Sequence, residues 1–371
     1  MKLKKIKTQA MNFKLSAVLL FILIFSNSIS GQSFSEKRTF RKSVAVNKEM
    51  TLEVNNKYGT IHISSWNTDS VSVRAEVEAF ASNQTRLGKM LEGINVNISE
   101  TSYLIRAETD FTQSINMLFE SFKGMTKKLI PYDSRVQINY FISVPDYLNL
   151  RIENKYGDVY MENNTGDLSL SLSNGSFKAN WLNSASEMKL TFCDATINRM
   201  AAGNIDASFS EVVIAESQTL KISSISSRFN LKKTDKINTE SRRDKFFIGT
   251  IGSLLGNSYF TDFRIEKLKN EIDLVTKYGS INADLIEKTV TLITLNSGYS
   301  DINLIFDPSV SYNLDIRYIN AFLTLPEKNT NLEKKSINEE KKEYITFGTI
   351  GKNPGSTKVK IDATRGNIFI K

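Results

Sequence analysis

Asn56-Lys57-Tyr58-Gly59-Thr60-Ile61 returns as Asn154-Lys155-Tyr156-Gly157-Asp158-Val159 and again as Thr276-Lys277-Tyr278-Gly279-Ser280-Ile281. Each copy follows a short run with apolar residues at alternate positions (Leu52, Val54; Leu150, Ile152; Ile272, Leu274) and precedes another (Ile61, Ile63; Val159, Met161; Ile281, Ala283). Alternation of this kind marks a strand with one buried face, so the unit reads as strand, corner, strand. The glycine suits a corner because it takes φ > 0 without a Cβ clash. A chain built on a repeated corner is expected to fold in repeats.

Working outward, corner-like pairs recur at Asn174-Gly175, Cys193-Asp194, Ser210-Glu211, Ser227-Arg228, Thr261-Asp262, Gly298-Tyr299 and Arg365-Gly366. From Tyr156 to Ser227 they stand 17 to 19 residues apart, room for two short strands and two corners. A period near 20 residues with two strands per unit predicts an all-β protein, a repetitive β-solenoid of roughly ten coils, expected to be right-handed. Leu168, Leu170, Leu172, Phe177, Ala179 and Leu182 are the inward candidates; Ser169, Ser171, Lys178 and Asn180 face out. Two runs break the period. Residues 232–257 mix Lys, Arg, Asp and Glu, residues 327–343 mix Lys and Glu, and both read as solvated loops projecting from the stack.

Before the boundary expected at Pro145-Asp146, residues 32–145 form a β-rich N-terminal region, and 146–371 the solenoid. Val71, Val73, Ala75 and Val77 alternate as a strand; Asn83 to Leu91 suits a short helix or structured loop. Phe111 to Leu129 carries apolar residues without period-two order and suits an amphipathic helical insertion. A membrane-touching flap is the competing reading of that segment. Residues 1–31 have the form of a secretory signal peptide: Lys2, Lys4, Lys5, Lys7 and Lys14 lead into the apolar run Leu15 to Phe25 and then small residues. The run is shorter than the roughly 20 residues a bilayer requires, so no transmembrane span is expected in the mature chain. Five of the 48 Lys and Arg and none of the 40 Asp and Glu lie in that leader, so the formal charge of +8 falls to 43 against 40, a net of +3. Near-neutral charge gives no phosphate-tracking field, and no nucleic-acid partner is expected.

Chemistry is sparse in the sequence. His62 is the sole histidine and sits between Ile61 and Ile63 as an outward strand residue; Cys193 is the sole cysteine and is read as a small buried one. Clustered Cys and His are absent, and no metal or cofactor is implied. The corner tyrosines Tyr58, Tyr156, Tyr278 and Tyr299 are the candidate ligand-binding residues, because rings on a sheet edge could form a platform for sugar or peptide; covering the corner is their other possible use. Asp158, Asp167, Asp194, Asp206, Glu211 and Asp301 leave open a carbohydrate-active enzyme on a β-helix, which would need two carboxylates across one groove. Bonding local amides at corners is the alternative role of these side chains.

The run Leu150-x-Ile-x-Asn154-Lys155-Tyr156-Gly157-Asp158-Val159, preceded by Val144-Pro145, resembles the bacterial putative-adhesin family of β-solenoid proteins common in Bacteroidota. The likeness runs loosely from Leu52 and best from Val144 to Ile302. It implies an exported, repetitive β protein at the cell envelope; the residues themselves lead us to expect a non-enzymatic binding or scaffold module in the periplasm, on the outer surface or outside the cell, meeting a surface glycan or an envelope protein through its outer Ser/Thr/Asn face and corner tyrosines. It brings no catalytic or ligand residues with it. A periplasmic envelope-stress or assembly factor, docking through Phe111–Leu129 and Phe246–Leu255, is the remaining alternative.

Overall fold

Strands follow the alternation almost residue by residue. The structure is a computed structural model and describes residues 34–113, 115, 134–328, 330–352 and 357–371; the leader and nearly all of Phe111–Leu129 lie outside them. The chain divides into two units.

The larger unit, residues 38–77, 94–111 and 137–371, is a β-solenoid of about 9 turns. Its central coils share one register. Asp194, Glu211, Arg228, Lys245 and Asp262 are successive partners in parallel pairing between the strands Asp194–Ser208, Glu211–Ile225, Arg228–Arg242, Lys245–Tyr259 and Asp262–Lys277. Each coil buries one apolar row that only its neighbours complete. In one such row Phe229, Phe246 and Phe263 stack at 4.7 and 4.9 Å and are buried. All six inward candidates between Leu168 and Leu182 are buried, as is Cys193.

The parallel ladder is continuous past Pro145: Thr51–Lys57 pairs with Asn149–Lys155, and Ile61 to Ile63 with Val159 to Met161. Both ends of the stack place one coil out of chain order. At the first, Thr51–Lys57 lies between Leu104–Phe111 and the later Asn149–Lys155, and Ile94–Glu100 then pairs antiparallel with Leu104–Phe111. At the second, Thr357–Thr364 slips between Leu292–Gly298 and Tyr312–Ile319, parallel to both.

The two charged runs are corrected by this register. Residues 232–257 are not a projecting loop; they are parts of two consecutive coils, in which Phe246, Ile248, Ile251 and Leu254 are core. Charged residues occupy the outward positions of ordinary strands. A run of mixed charge hides alternation when its inward partners are Thr and Ser, as here at Thr234, Thr239 and Ser241. Residues 327–343 contain the strand Thr330–Asn338, antiparallel to Glu343–Ile350, leaving only a short turn between them.

The smaller unit comprises residues 1–37, 78–93 and 112–136. Its described helix, Gln84–Glu92, is started by the Asn83 side chain, which accepts from the Arg86 N–H at 2.8 Å, and buries Leu87, Met90 and Leu91. Among the described residues no helix is long and apolar enough to cross a membrane.

Candidate functional site

Among the described residues, twelve corners of the solenoid are turned by one non-glycine residue with φ between 47° and 64°: Tyr58, Tyr156, Asn174, Phe192, Phe209, Ser226, Arg243, Phe260, Tyr278, Tyr299, Arg365 and Asn320. They form a single row along the stack. From Tyr58 to Arg365, the N–H of each donates to the carbonyl just ahead of the next corner residue at 2.8–3.1 Å, beginning with Tyr58 to Lys155 and ending with Arg365 to Ile319. The left-handed conformation gives a sharp bend within one residue, and it costs a side-chain-bearing residue about 1–2 kcal/mol.

The tyrosine, not the glycine after it, thus takes the positive φ in Tyr-Gly. Gly59, Gly157, Gly175 and Gly279 are required for a different reason. A Cβ on Gly157 would lie 1.9 Å from the Gly59 carbonyl oxygen, and one on Gly175 2.0 Å from that of Gly157. Inside these corners the motif's first residue fills the space: Asn154 Nδ2 donates to the Gly59 carbonyl at 3.0 Å, and Asn56 Nδ2 to that of Ile138 at 2.9 Å. Other coils use a second solution, a small polar residue after the bend. Cys193 N–H donates to Ser210 Oγ, Ser210 N–H to Ser227 Oγ, Ser227 N–H to Asp244 Oδ1 and Asp244 N–H to Thr261 Oγ1, at 2.7–3.3 Å. This inner row satisfies amides that face the next coil. Asp244 also accepts from the Arg242 N–H and from Ser224 Oγ, and burial pushes its carboxyl above the usual range against those hydrogen bonds.

Outside, seven of these twelve positions carry aromatic rings. Tyr58 stacks on Tyr156 at 5.5 Å, Phe192 on Phe209 at 5.0 Å, Phe260 on Tyr278 at 4.9 Å and Tyr278 on Tyr299 at 5.1 Å, where the Arg365 guanidinium closes the segment at 4.9 Å. Tyr259 meets Phe260 and Tyr278 edge-on. Phe192 and Phe209 are 56% and 53% exposed, so burial does not explain them. All four tyrosines expected at corners lie on this stripe. Three further rings, Phe192, Phe209 and Phe260, take the bend one residue before the corners expected from the sequence at Cys193, Ser210 and Thr261.

Of the six candidate carboxylates, Asp158, Asp194, Glu211 and Asp301 each stand two positions after a bend, whereas Asp167 and Asp206 do not. Asp158 accepts from the Ser176 N–H at 2.8 Å, Asp301 from the Asn367 N–H and Nδ2, and Asp167 from Ser184 Oγ. Asp194 and Glu211 are ladder neighbours on the exposed sheet, with Glu211 bonded by Asn230 Nδ2 at 2.9 Å; Asp206 belongs to the opposite arm of its coil. Amides on the outer face are likewise engaged: Asn180 donates to Asn163 and Asn198 to Asn180. His62 points outward, stacked between Phe141 and Tyr160 at 5.2 and 5.0 Å, and desolvation lowers its pKa.

No family model matches the sequence, and no curated protein matches it. Among solved structures, the chain is similar to a putative cell adhesion protein from Clostridium sporogenes ATCC 15579, at 13% identity and TM-score 0.19, over 91% of this chain and all of that one. A second is a putative adhesin from Parabacteroides distasonis ATCC 8503, at 8% identity and TM-score 0.28, over 72% of this chain and 93% of that one. Their names match the family resemblance read from the corner motif, and likeness at this level says nothing of function.

Proposed function

We propose that the chain is an exported, non-catalytic binding module that holds an elongated surface glycan along its aromatic corner stripe. The observation that carries the reading is the pair Phe192 and Phe209: stacked, more than half exposed, and held in a backbone conformation that asparagine or glycine would adopt at less cost. Strained, exposed side chains concentrate where a surface is used. Ring edges repeated at the coil spacing, with ring faces free where each stack ends, suit sugar rings, which present apolar C–H faces to aromatics and hydroxyls to the flanking polar rows.

Replacing Phe192, Phe209, Phe260, Tyr278 and Tyr299 by Asn keeps residues that tolerate the left-handed bend. In native gels cast with soluble polysaccharides, the wild-type chain is expected to be retarded and the Asn variant to run freely. Equal retardation of the two would sink the stripe as the binding surface. Protease treatment of intact cells, with a lysed control, tests the location: loss from intact cells fits surface display, and protection until lysis fits a periplasmic module binding an envelope protein.

A further inference from the structure

The stripe lacks a ring at Asn174 and at two consecutive rungs, Ser226 and Arg243, and at that consecutive pair the charge changes sign. At ring-bearing rungs the residue two positions after the bend is often acidic: Asp158, Asp194, Glu211, Asp262 and Asp301. At the ringless pair it is Arg228 and Lys245, partners in the same ladder row. Arg243 occupies the bend itself, and Arg242 precedes it. All four bases are exposed, and among the described residues none is in an ion pair; Arg228 only lies over the Phe247 ring at 5.9 Å. The acids beside them in the ladder form no ion pair with them: Glu211, next to Arg228, accepts from Asn230 Nδ2, and Asp262, next to Lys245, accepts from Ser280 Oγ. Asp244 is turned inward and fixes the backbone beneath the bases.

Phe209 and Phe260 are three rungs apart, roughly 14 Å at the spacing of paired strands. A stripe made only to stack sugars gains nothing from four exposed bases gathered at its consecutive ringless rungs with no ion pair among the described residues. We propose that the corner stripe binds a linear anionic polysaccharide, with sugar faces on the rings to either side and carboxylate or sulfate groups on Arg228, Arg242, Arg243 and Lys245 between them. The proposal rests on the stripe being a binding surface and adds the class of ligand.

Four immobilised probes test it: polygalacturonate for carboxylate, heparin for sulfate, a neutral β-glucan, and a DNA duplex of similar charge. Binding of the wild-type chain to at least one acidic polysaccharide is expected, weakening as salt rises. Arg228→Gln/Arg243→Asn/Lys245→Gln should weaken that binding by about tenfold, since three charge-assisted contacts are lost together. Phe260→Asn/Tyr278→Asn should weaken it as well. Circular dichroism and the urea midpoint establish that each variant is folded, and Arg228→Gln/Lys245→Gln, which leaves the bend untouched, serves should the triple variant unfold. Unchanged affinity in the charge variants, or β-glucan binding as tight as acidic binding, overturns the anionic class and leaves the stripe standing. Loss in the charge variants with full binding in the ring variant shows simple ion exchange and overturns both. DNA binding as tight as polysaccharide binding overturns the ligand class, and binding to none of the four overturns both readings.

Discussion

Gly157→Ala separates two explanations of the Tyr-Gly corner. If glycine served a positive φ, alanine would cost about 1 kcal/mol and asparagine less. The structure gives the positive φ to Tyr156 and sets Gly157 against the neighbouring coil. The new Cβ would sit 1.9 Å from the Gly59 oxygen, where real contacts do not fall below 3.0 Å, so the rung must open by at least 1.1 Å. Two hydrogen bonds flank that point, Tyr58 N–H to Lys155 O and Ile61 N–H to Asp158 O, each 2.9 Å. Opening by that distance stretches both to about 4.0 Å, beyond bonding range. Two buried amides left short at about 1–3 kcal/mol each, partly relieved by relaxation, give a loss of about 3–5 kcal/mol. Urea unfolding followed by fluorescence suits the site, because Trp66 and Trp181, the only two tryptophans, lie on the coils next to it. Gly157→Asn should be worse than alanine. An alanine variant within 1 kcal/mol of wild type, or an asparagine variant as stable as wild type, would refute close approach as the reason for the glycine.

Three further contrasts test the interior. Phe246→Ala should cost about 3–5 kcal/mol in urea unfolding, for it leaves a cavity between Phe229 and Phe263, whereas Phe247→Ala, on the outward position, should stay below about 1 kcal/mol; equal costs would mean the register is wrong. Because burial raises the Asp244 pKa in the folded chain, the protonated form is favoured there, and the stability this group contributes is full below the ordinary carboxylate pKa and lost as pH rises through the folded value. Asp244→Asn does not titrate and leaves the Arg242 or Ser227 N–H facing an amide, so its deficit against wild type should be largest near pH 3.5 and shrink toward pH 7; a deficit that grows with pH would contradict the burial argument. Tyr312→Phe should be neutral or stabilising by about 1 kcal/mol, since the buried Tyr312 hydroxyl has no partner among the described residues. Tyr140→Phe should cost about 0.5–1.5 kcal/mol, because the Tyr140 hydroxyl, its pKa pushed up to about 12 by burial, bonds Thr109 Oγ1 at 2.8 Å.

The solenoid was legible because alternation and a recurring corner are local signals, and each survives in a few residues such as Leu168 to Leu172. What the sequence hid was long-range. Nothing near Thr357 says that its strand will enter between two earlier coils, and nothing in Asn56-Lys57-Tyr58-Gly59 says that glycine answers to a carbonyl some 80 residues away, at Ile138. The corner tyrosines were legible as a motif, but Phe192, Phe209 and Phe260 were not, since the bend is a backbone conformation that any residue can be forced into. A small polar residue one position after a ring, as in Phe192-Cys193, Phe209-Ser210 and Phe260-Thr261, is the signal that would have found them.

The rings add little net stability to the fold, and this is the stronger ground for giving them a use. A left-handed bend costs a bulky residue about 1–2 kcal/mol, and a stacked pair returns about 0.5–1.5 kcal/mol. Phe192 and Phe209 share one such pair between two bends, so the stacking does not cover the strain. Tyr278, with stacked partners on both sides and Tyr259 edge-on, comes closer to balance. Asn174, in the same row, shows that the fold accepts an asparagine at this corner. Phenylalanine at a half-exposed bend is therefore better explained by what the surface contacts than by what the corner requires, and the pair at Phe192 and Phe209 should lose more binding than stability when both become asparagine.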